Sequence, residues 1–372
     1  MNTVADAAAL FAPDGERAPL EPGSRPEVRF CSLADGSRLA FASLGKGAPL
    51  VLIPGWLTHL EESWTHPSAA SARARLSREN RFIWYDRLGC GLSDRGPFRF
   101  SLEQDVAQLR AVLDAAKVSR CCLVGYSLGG PVAAAFAARY PERVDRLVFC
   151  STFARGNVVG SAGQINALRE LVRADWQLGA RTLASMLLPN ASARELRWFS
   201  ALQRHAAPAE IAEQLLDHMW QLDVRNLLAE LHTPALVIHD RQDQAIPVTA
   251  AEEIAALLPR ARLEILEGNA HGPFFRDTPC LIERTLAFVH GKPARSAMVT
   301  PGQGNRLTRR EQEILRLIAR GMSNKAISST LGIAVSTVER HVTNLYGKLD
   351  VRGRTDAVMR AFRMGLIPPD TF

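Results

Sequence analysis

The sequence predicts an α/β fold, a largely parallel sheet covered by helices and interrupted by a helical lid, followed by a small all-α domain. Three observations predict it. Between residues 28 and 268, short aliphatic and aromatic runs alternate with helical patterns, as strand–helix–strand crossovers require. The alternation stops near residue 155 and resumes after about 231. From residue 306 onward the pattern is helical throughout.

Residues 1–26 carry early acidic residues, scattered prolines and no basic-then-apolar signal pattern, so they read as a flexible N-terminal tail and export is not expected. Strands are expected at 28–32, 38–43, 50–53, 81–86, 121–126, 146–151, 235–240 and 262–267. The later ones are near-continuous apolar runs, as parallel strands covered on both faces demand. Helical patterns occupy 102–116 and 131–140. Between about 155 and 231 the strand signal vanishes. Ile165, Leu168, Leu171 and Val172, then Ile211, Leu215, Leu216 and Met219, recur at helical spacing. This stretch reads as a cap inserted over the strand ends. Its Trp176, Trp198 and Trp220 either line an apolar pocket or seat the cap on the core. Residues 290–305, with Gly291, Pro293, Pro301, Gly302 and Gly304, read as a linker. The expected domains are therefore 27–289 and 306–372.

A chain of 372 residues holds roughly two or three domains, each with a real core. No apolar run approaches the roughly 20 residues needed to span a bilayer, so no membrane partner is expected and the location expected is cytoplasmic. The six cysteines form no C-x-x-C pair. Cys121, Cys122 and Cys150 lie in apolar runs, where a thiol behaves as a small hydrophobe. Reduced thiols are expected, with no metal and no cofactor. The net charge of +7 is uneven: residues 301–372 hold 12 Lys and Arg against 6 Asp and Glu, the remainder 33 against 32. Basicity gathered in one small domain suits a phosphate-bearing partner.

The string Gly125-Tyr126-Ser127-Leu128-Gly129 joins an apolar run to an alanine-rich helix. On such a turn a serine hydroxyl stands at the carboxyl edge of the sheet, and flanking glycines relieve crowding. The helix N-terminus adds partial positive charge where an oxyanion forms. An alkoxide nucleophile needs a base, and the base an orienting acid. Asp243 follows the run 235–240 and His271 follows the next, both on loops beyond strands.

Together with Pro54-Gly55-Trp56 and Asp86-Arg87-Leu88-Gly89-Cys90-Gly91-Leu92-Ser93, these motifs make residues 28–288 resemble the α/β-hydrolase superfamily. The resemblance implies an α/β-hydrolase sheet with a helical lid and a serine hydrolase of esterase or lactonase type. Ser127 would be nucleophile, His271 general base and Asp243 its orienter, with the backbone N–H groups of Leu128 and Trp56 forming an oxyanion hole. Pro54 stands where many members have histidine. Asp240 is a rival acid, but it sits inside the strand end, and the D-x-x-x-P spacing from Asp243 to Pro247 favours Asp243. Residues 54–64 look like a subgroup of hydrolase domains fused to bacterial regulatory modules. Within them His59 and Glu61 either contact ligand or hold the loop. His66, His205, His218, His232, His239 and His290 show no partnering pattern.

Downstream, Thr308-Arg309-Arg310-Glu311 reads as a capping box. Ile314, Leu317 and Ile318 give that helix an apolar stripe, and Gly321 ends it. Ser323 caps a second helix running to Leu331, and Gly332 supplies the turn. In the third helix Val338, Val342, Leu345 and Leu349 form one buried face, and Arg340, Thr343, Asn344 and Lys348 lie opposite. These are the parts of a helix-turn-helix reader. Residues 307–364 resemble the LuxR-type helix-turn-helix family. The resemblance implies that helix 336–349 enters the major groove, Arg340 and Thr343 facing bases, Lys348 and Lys325 facing phosphates. Ala334 and Glu339 depart from the family, where serine and lysine are common.

The expected function is a DNA-binding transcriptional regulator whose hydrolase domain senses, with or without hydrolysing, a small ester- or lactone-like ligand. A homodimer on a two-fold-related operator is expected by analogy. The alternative is a serine hydrolase whose C-terminal domain serves localisation or dimerisation.

Overall fold

Strands β1 (Val28–Ser32), β2 (Arg38–Leu44), β3 (Ala48–Ile53), β4 (Asn80–Tyr85), β5 (Cys121–Tyr126), β6 (Val144–Cys150), β7 (Ala235–Asp240) and β8 (Ala261–Leu266) form one sheet. The structure, a computed structural model, describes residues 26–96, 98–269, 271, 279–292, 307, 309–349, 351 and 353–363. The strand order is β1-β2-β4-β3-β5-β6-β7-β8. β2 runs antiparallel to both its neighbours, and every later pairing is parallel. The sheet is therefore mixed, with its parallel part where the expected apolar runs are longest.

Helices α1 (Leu60–Trp64), α2 (Pro67–Leu76), α3 (Leu102–Ala115), α4 (Gly129–Arg139), α5 (Ala162–Ala174), α6 (Trp176–Leu187), α7 (Ala193–Ala206), α8 (Ala209–Gln221), α9 (Arg225–Glu230), α10 (Val248–Leu257) and α11 (Pro279–Val289) complete this unit. Alternation along β5 explains why both sheet faces must be covered. Cys121 and Leu123 pack with Leu109 and Val112 of α3, Phe136 of α4 and Ile254 of α10. Cys122 and Val124 point the other way, to Ala69 and Leu76 of α2 and Leu281 and Ile282 of α11. Burying each such leucine or isoleucine contributes about 1.5–3 kcal/mol.

Strand ends shift where the backbone turns. β6 stops before Ser151, whose φ of +44° takes it out of the pleat. β4 stops before Asp86, whose carboxylate accepts the N–H groups of Leu60 and Leu92, each at 3.0 Å.

α5 to α8 cap the strand ends. Ser161 with Gln164 and Ser192 with Glu195 form capping boxes at the starts of α5 and α7. Trp198 ties the cap to the body, donating to Thr65 Oγ1 at 3.2 Å, whereas Trp176 and Trp220 donate within the cap, to the carbonyls of Ala207 at 2.9 Å and Gly160 at 3.1 Å.

The chain divides into two compact units, Met1–Lys292 and Pro293–Phe372. The second contains α12 (Arg309–Ala319), α13 (Asn324–Leu331), α14 (Val335–Leu349) and α15 (Arg354–Arg363). Ile314, Leu317, Ile318, Val338, Val342, Leu345 and Leu349 are all buried, as their spacing requires. Ser323 accepts the N–H of Ala326 at 3.2 Å and caps α13. Gly332 ends it at φ +61°, a left-handed position that favours glycine. Thr308 lies outside the described residues. No described helix is long and apolar enough to cross a membrane.

Candidate active site and candidate nucleic-acid interface

Ser127 sits between β5 and α4 with φ +52°, a left-handed conformation that costs a serine strain. Glycines make the turn feasible. A methyl group built on Gly129 would stand 2.3 Å from the carbonyl oxygen of Ile53, and one on Gly130 2.0 Å from Thr152 Oγ1. Neither clash can be relieved without moving the helix start. The N–H of Ser127 donates to the carbonyl of Cys150 at 3.1 Å, and the Thr152 hydroxyl donates to the Ser127 carbonyl. The serine is thus clamped from the end of β6 and the turn after it.

The structure brings Ser127, His271 and Asp243 together. Ser127 Oγ lies 3.0 Å from His271 Nε2, and His271 Nδ1 lies 2.9 Å from Asp243 Oδ2. Asp243 Oδ1 accepts the N–H groups of Ala245 at 2.9 Å and Ile246 at 3.1 Å. Burial would raise the Asp243 carboxyl, but the charge and hydrogen bond of His271 and the Ile246 N–H outweigh it and hold the carboxyl below its usual range. Asp240 lies against Gly268, where a methyl group would come within 2.4 Å of its Oδ2. Tyr126 donates its hydroxyl to the His271 carbonyl at 3.2 Å. The N–H of His271 donates to the carbonyl of Leu187 at 3.3 Å, a tie to the cap.

Leu128 is the N-cap of α4. The Gly55–Trp56 segment runs beside the serine: a methyl group on Gly55 would stand 3.6 Å from Ser127 Cβ. A cavity of about 140 Å³ opens over these groups, with Ser127, His271 and Trp56 in its wall and Ile165, Leu168, Leu183 and Phe199 of the cap above. Trp176, Trp198 and Trp220 are not among the described wall residues. His59 lines the cavity and also accepts the N–H of Glu62 at 3.4 Å, capping α1. Burial, then Arg95 and His205, push its imidazole down to about 4, so it is neutral at neutral pH. Glu61 is exposed.

Sequence reasoning missed two buried clusters. Arg87 pairs with Asp105, whose other oxygen lies 2.9 Å from His218 Nε2, and Arg87 reaches the carbonyl of Pro54 at 3.4 Å. This network links cap helix α8 to α3 and to the Pro54 segment. The second cluster is Arg73, Trp84 and Asp86, all in the cavity wall. Arg73 sits in an Arg-x-Arg pattern that reads as solvated. Only the pairing of β4 beside β3 and the placement of α2 bury it. His239 is a further buried neighbour, with Nε2 2.9 Å from the carbonyl of Ile246 and 3.6 Å from Asp243 Oδ2. Among the described residues no group of three or more His, Cys, Asp or Glu is placed to hold a metal ion.

In the second unit Lys325, Thr343 and Asn344 are exposed, and Thr343 and Asn344 lie opposite the buried Val338, Val342, Leu345 and Leu349. Arg340 and Lys348 fall within α14, but their side chains lie outside the described residues. Glu339 is exposed, and its carbonyl accepts the Thr343 hydroxyl at 3.0 Å.

A family model for the alpha/beta hydrolase fold matches residues 48–278, and one for bacterial regulatory proteins, luxR family, matches residues 305–361. A 2-hydroxymuconate semialdehyde hydrolase of Pseudomonas putida is 30% identical over 270 residues, covering 67% of this chain and 90% of that protein. A hydrolase structure from Pseudomonas aeruginosa superposes with a TM-score of 0.62 at 27% identity, covering 71% of this chain and 98% of its own. An esterase from Exiguobacterium antarcticum, at 21% identity with a TM-score of 0.65, covers 71% of this chain and 100% of its own and shares the fold.

Proposed function

We propose that this chain, which belongs to the α/β-hydrolase fold family and carries a LuxR-family regulatory domain, is a transcriptional regulator that binds and cleaves a small ester or lactone. The observation that carries the reading is the contiguous run from Ser127 Oγ through His271 to Asp243, at 3.0 and 2.9 Å, in the wall of a covered apolar cavity. Ser127 Oγ attacks the acyl carbon while His271 Nε2 takes its proton. Asp243 fixes the imidazole tautomer and stabilises the cation that forms. The N–H groups of Leu128 and Trp56 hold the developing oxyanion. His271 returns the proton to the leaving alkoxide, and water then releases the acid by the same route. Occupancy beneath the cap alters operator affinity to the extent that the ligand prefers one arrangement of the chain. The regulator acts as a homodimer on a two-fold-related site, with Arg340, Thr343 and Asn344 toward bases and Lys325 and Lys348 toward phosphates.

The test is turnover of short- and medium-chain aryl esters by the pure chain beside Ser127→Ala. Serine-dependent turnover supports the reading. Equal rates in both proteins overturn its catalytic half. Deleting residues 301–372 separates the regulator from a plain hydrolase: the regulator loses promoter control, and the plain hydrolase changes no transcription.

A further inference from the structure

Arg73 is the most incongruous group in the cavity wall. It is 5% exposed; the Asp86 carboxylate in the same wall acts on it through space, but among the described residues no carboxylate lies within ion-pair distance of it. Its Nη1 donates to the Ser63 carbonyl at 3.0 Å and its Nη2 to Ser63 Oγ at 2.9 Å. Its buried Nε has no partner. The guanidinium lies over the rings of Trp84 and Trp64, 5.4 and 5.8 Å from their centroids, which orients it without neutralising it. Nε1 of Trp84, also in the wall, is a second buried donor without a partner. A buried polar atom left unpaired is costly, and folded proteins keep few of them. Here Arg73 and Trp84 line one apolar cavity, in whose wall Asp86 Oδ1 is likewise a buried atom without a partner.

We propose that Arg73 and Trp84 form an acidic-end subsite, so that the ligand is a bifunctional molecule with an acyl group at Ser127 and a carboxylate at Arg73. The proposal rests on the ester-cleaving reading of the same cavity. Arginine suits the task because its planar fork matches carboxylate geometry and it binds more weakly to water than lysine does. Two other ionisable wall residues bear on this. His59 is neutral at neutral pH. Asp86 has Oδ2 committed to the N–H groups of Leu60 and Leu92; burial pushes its carboxyl up to about 6, still below neutral pH, so it stays largely ionised and Arg73 must outweigh its repulsion of an anion. The guanidinium itself, lowered by burial only to about 10, stays charged.

The experiment uses the full chain and aryl half-esters of straight dicarboxylic acids, each beside its methyl-capped twin. The ratio of kcat/KM within each pair is read, because the fraction of folded protein cancels. Wild type is expected to favour the free acid by about 10- to 100-fold at the best chain length. Arg73→Met should bring the ratio to about one, and Arg73→Lys should restore part of it. A wild-type ratio near one at every length, or a preference that survives in Arg73→Met, overturns the proposal. Calorimetry with the Ser127→Ala protein and the same half-esters separates the two readings. Acid-selective binding that disappears on adding Arg73→Met, with no turnover by wild type, keeps the subsite and rejects ester cleavage.

Discussion

Nε2 of His218 on the cap lies 2.9 Å from Oδ2 of Asp105 on α3, and the same carboxylate pairs with Arg87. The Asp105 and Arg87 side chains are each 2% exposed. Burial disfavours the Asp105 anion, but Arg87 and His218 outweigh it and hold the carboxyl below its usual range. Removing it leaves a guanidinium buried without a counter-charge. Asp105→Ala is expected to cost about 3–5 kcal/mol in urea unfolding. Asp114→Ala, which removes an ion pair whose carboxylate is 56% exposed, should cost under about 1 kcal/mol.

Asp243 and Asp240 make opposite predictions as the acid behind His271. Asp243→Asn should lower kcat on aryl esters by roughly 10³- to 10⁴-fold through loss of the imidazole tautomer. Asp240→Asn should cost far less, since the carboxylate contact of His271 is with Asp243.

The same carboxyl shapes stability against pH. Its folded pKa is depressed, so its contribution is complete above its unfolded value, near ~4, and is lost as pH falls through the lower folded value. Asp243→Asn is therefore expected to flatten the acid limb of the unfolding curve while leaving its slope above neutrality unchanged.

The DNA-binding unit is tested by salt. Arg340→Ala should weaken specific operator binding by about 1–3 kcal/mol. Lys348→Ala should weaken binding to every sequence and lower the magnitude of the log–log salt slope by about one. Unchanged binding in both removes α14 from the groove.

Local signals carried far, and long-range ones did not. β1, β5 and β7 match their expected bounds because apolar runs end abruptly there, at Ser32, at the Ser127 turn and at Asp240. The apolar stripe of α14 was equally plain, since Val338, Val342, Leu345 and Leu349 repeat at helical spacing and all are buried. Ser127, Asp243 and His271 stood out because each follows a strand. The Arg87–Asp105–His218 network spans 113 positions between its last two members, and no periodicity encodes such a pairing. Arg73 was hidden for the same reason: its burial depends on where α2 lands. The cap tryptophans admit two readings in the sequence; the structure ties Trp198 to Thr65 outside the cap and pairs Trp176 and Trp220 within it.

The central claim, that ligand chemistry in the hydrolase domain sets DNA occupancy, is tested most directly with Ser127→Ala, which retains an uncleaved ester. Its affinity for a DNA fragment selected by the wild-type chain should be measured by fluorescence anisotropy as the ester is raised to saturation. The account predicts a shift in Kd of at least about 5-fold. An unchanged Kd, with the ester shown by calorimetry to be bound, would contradict it.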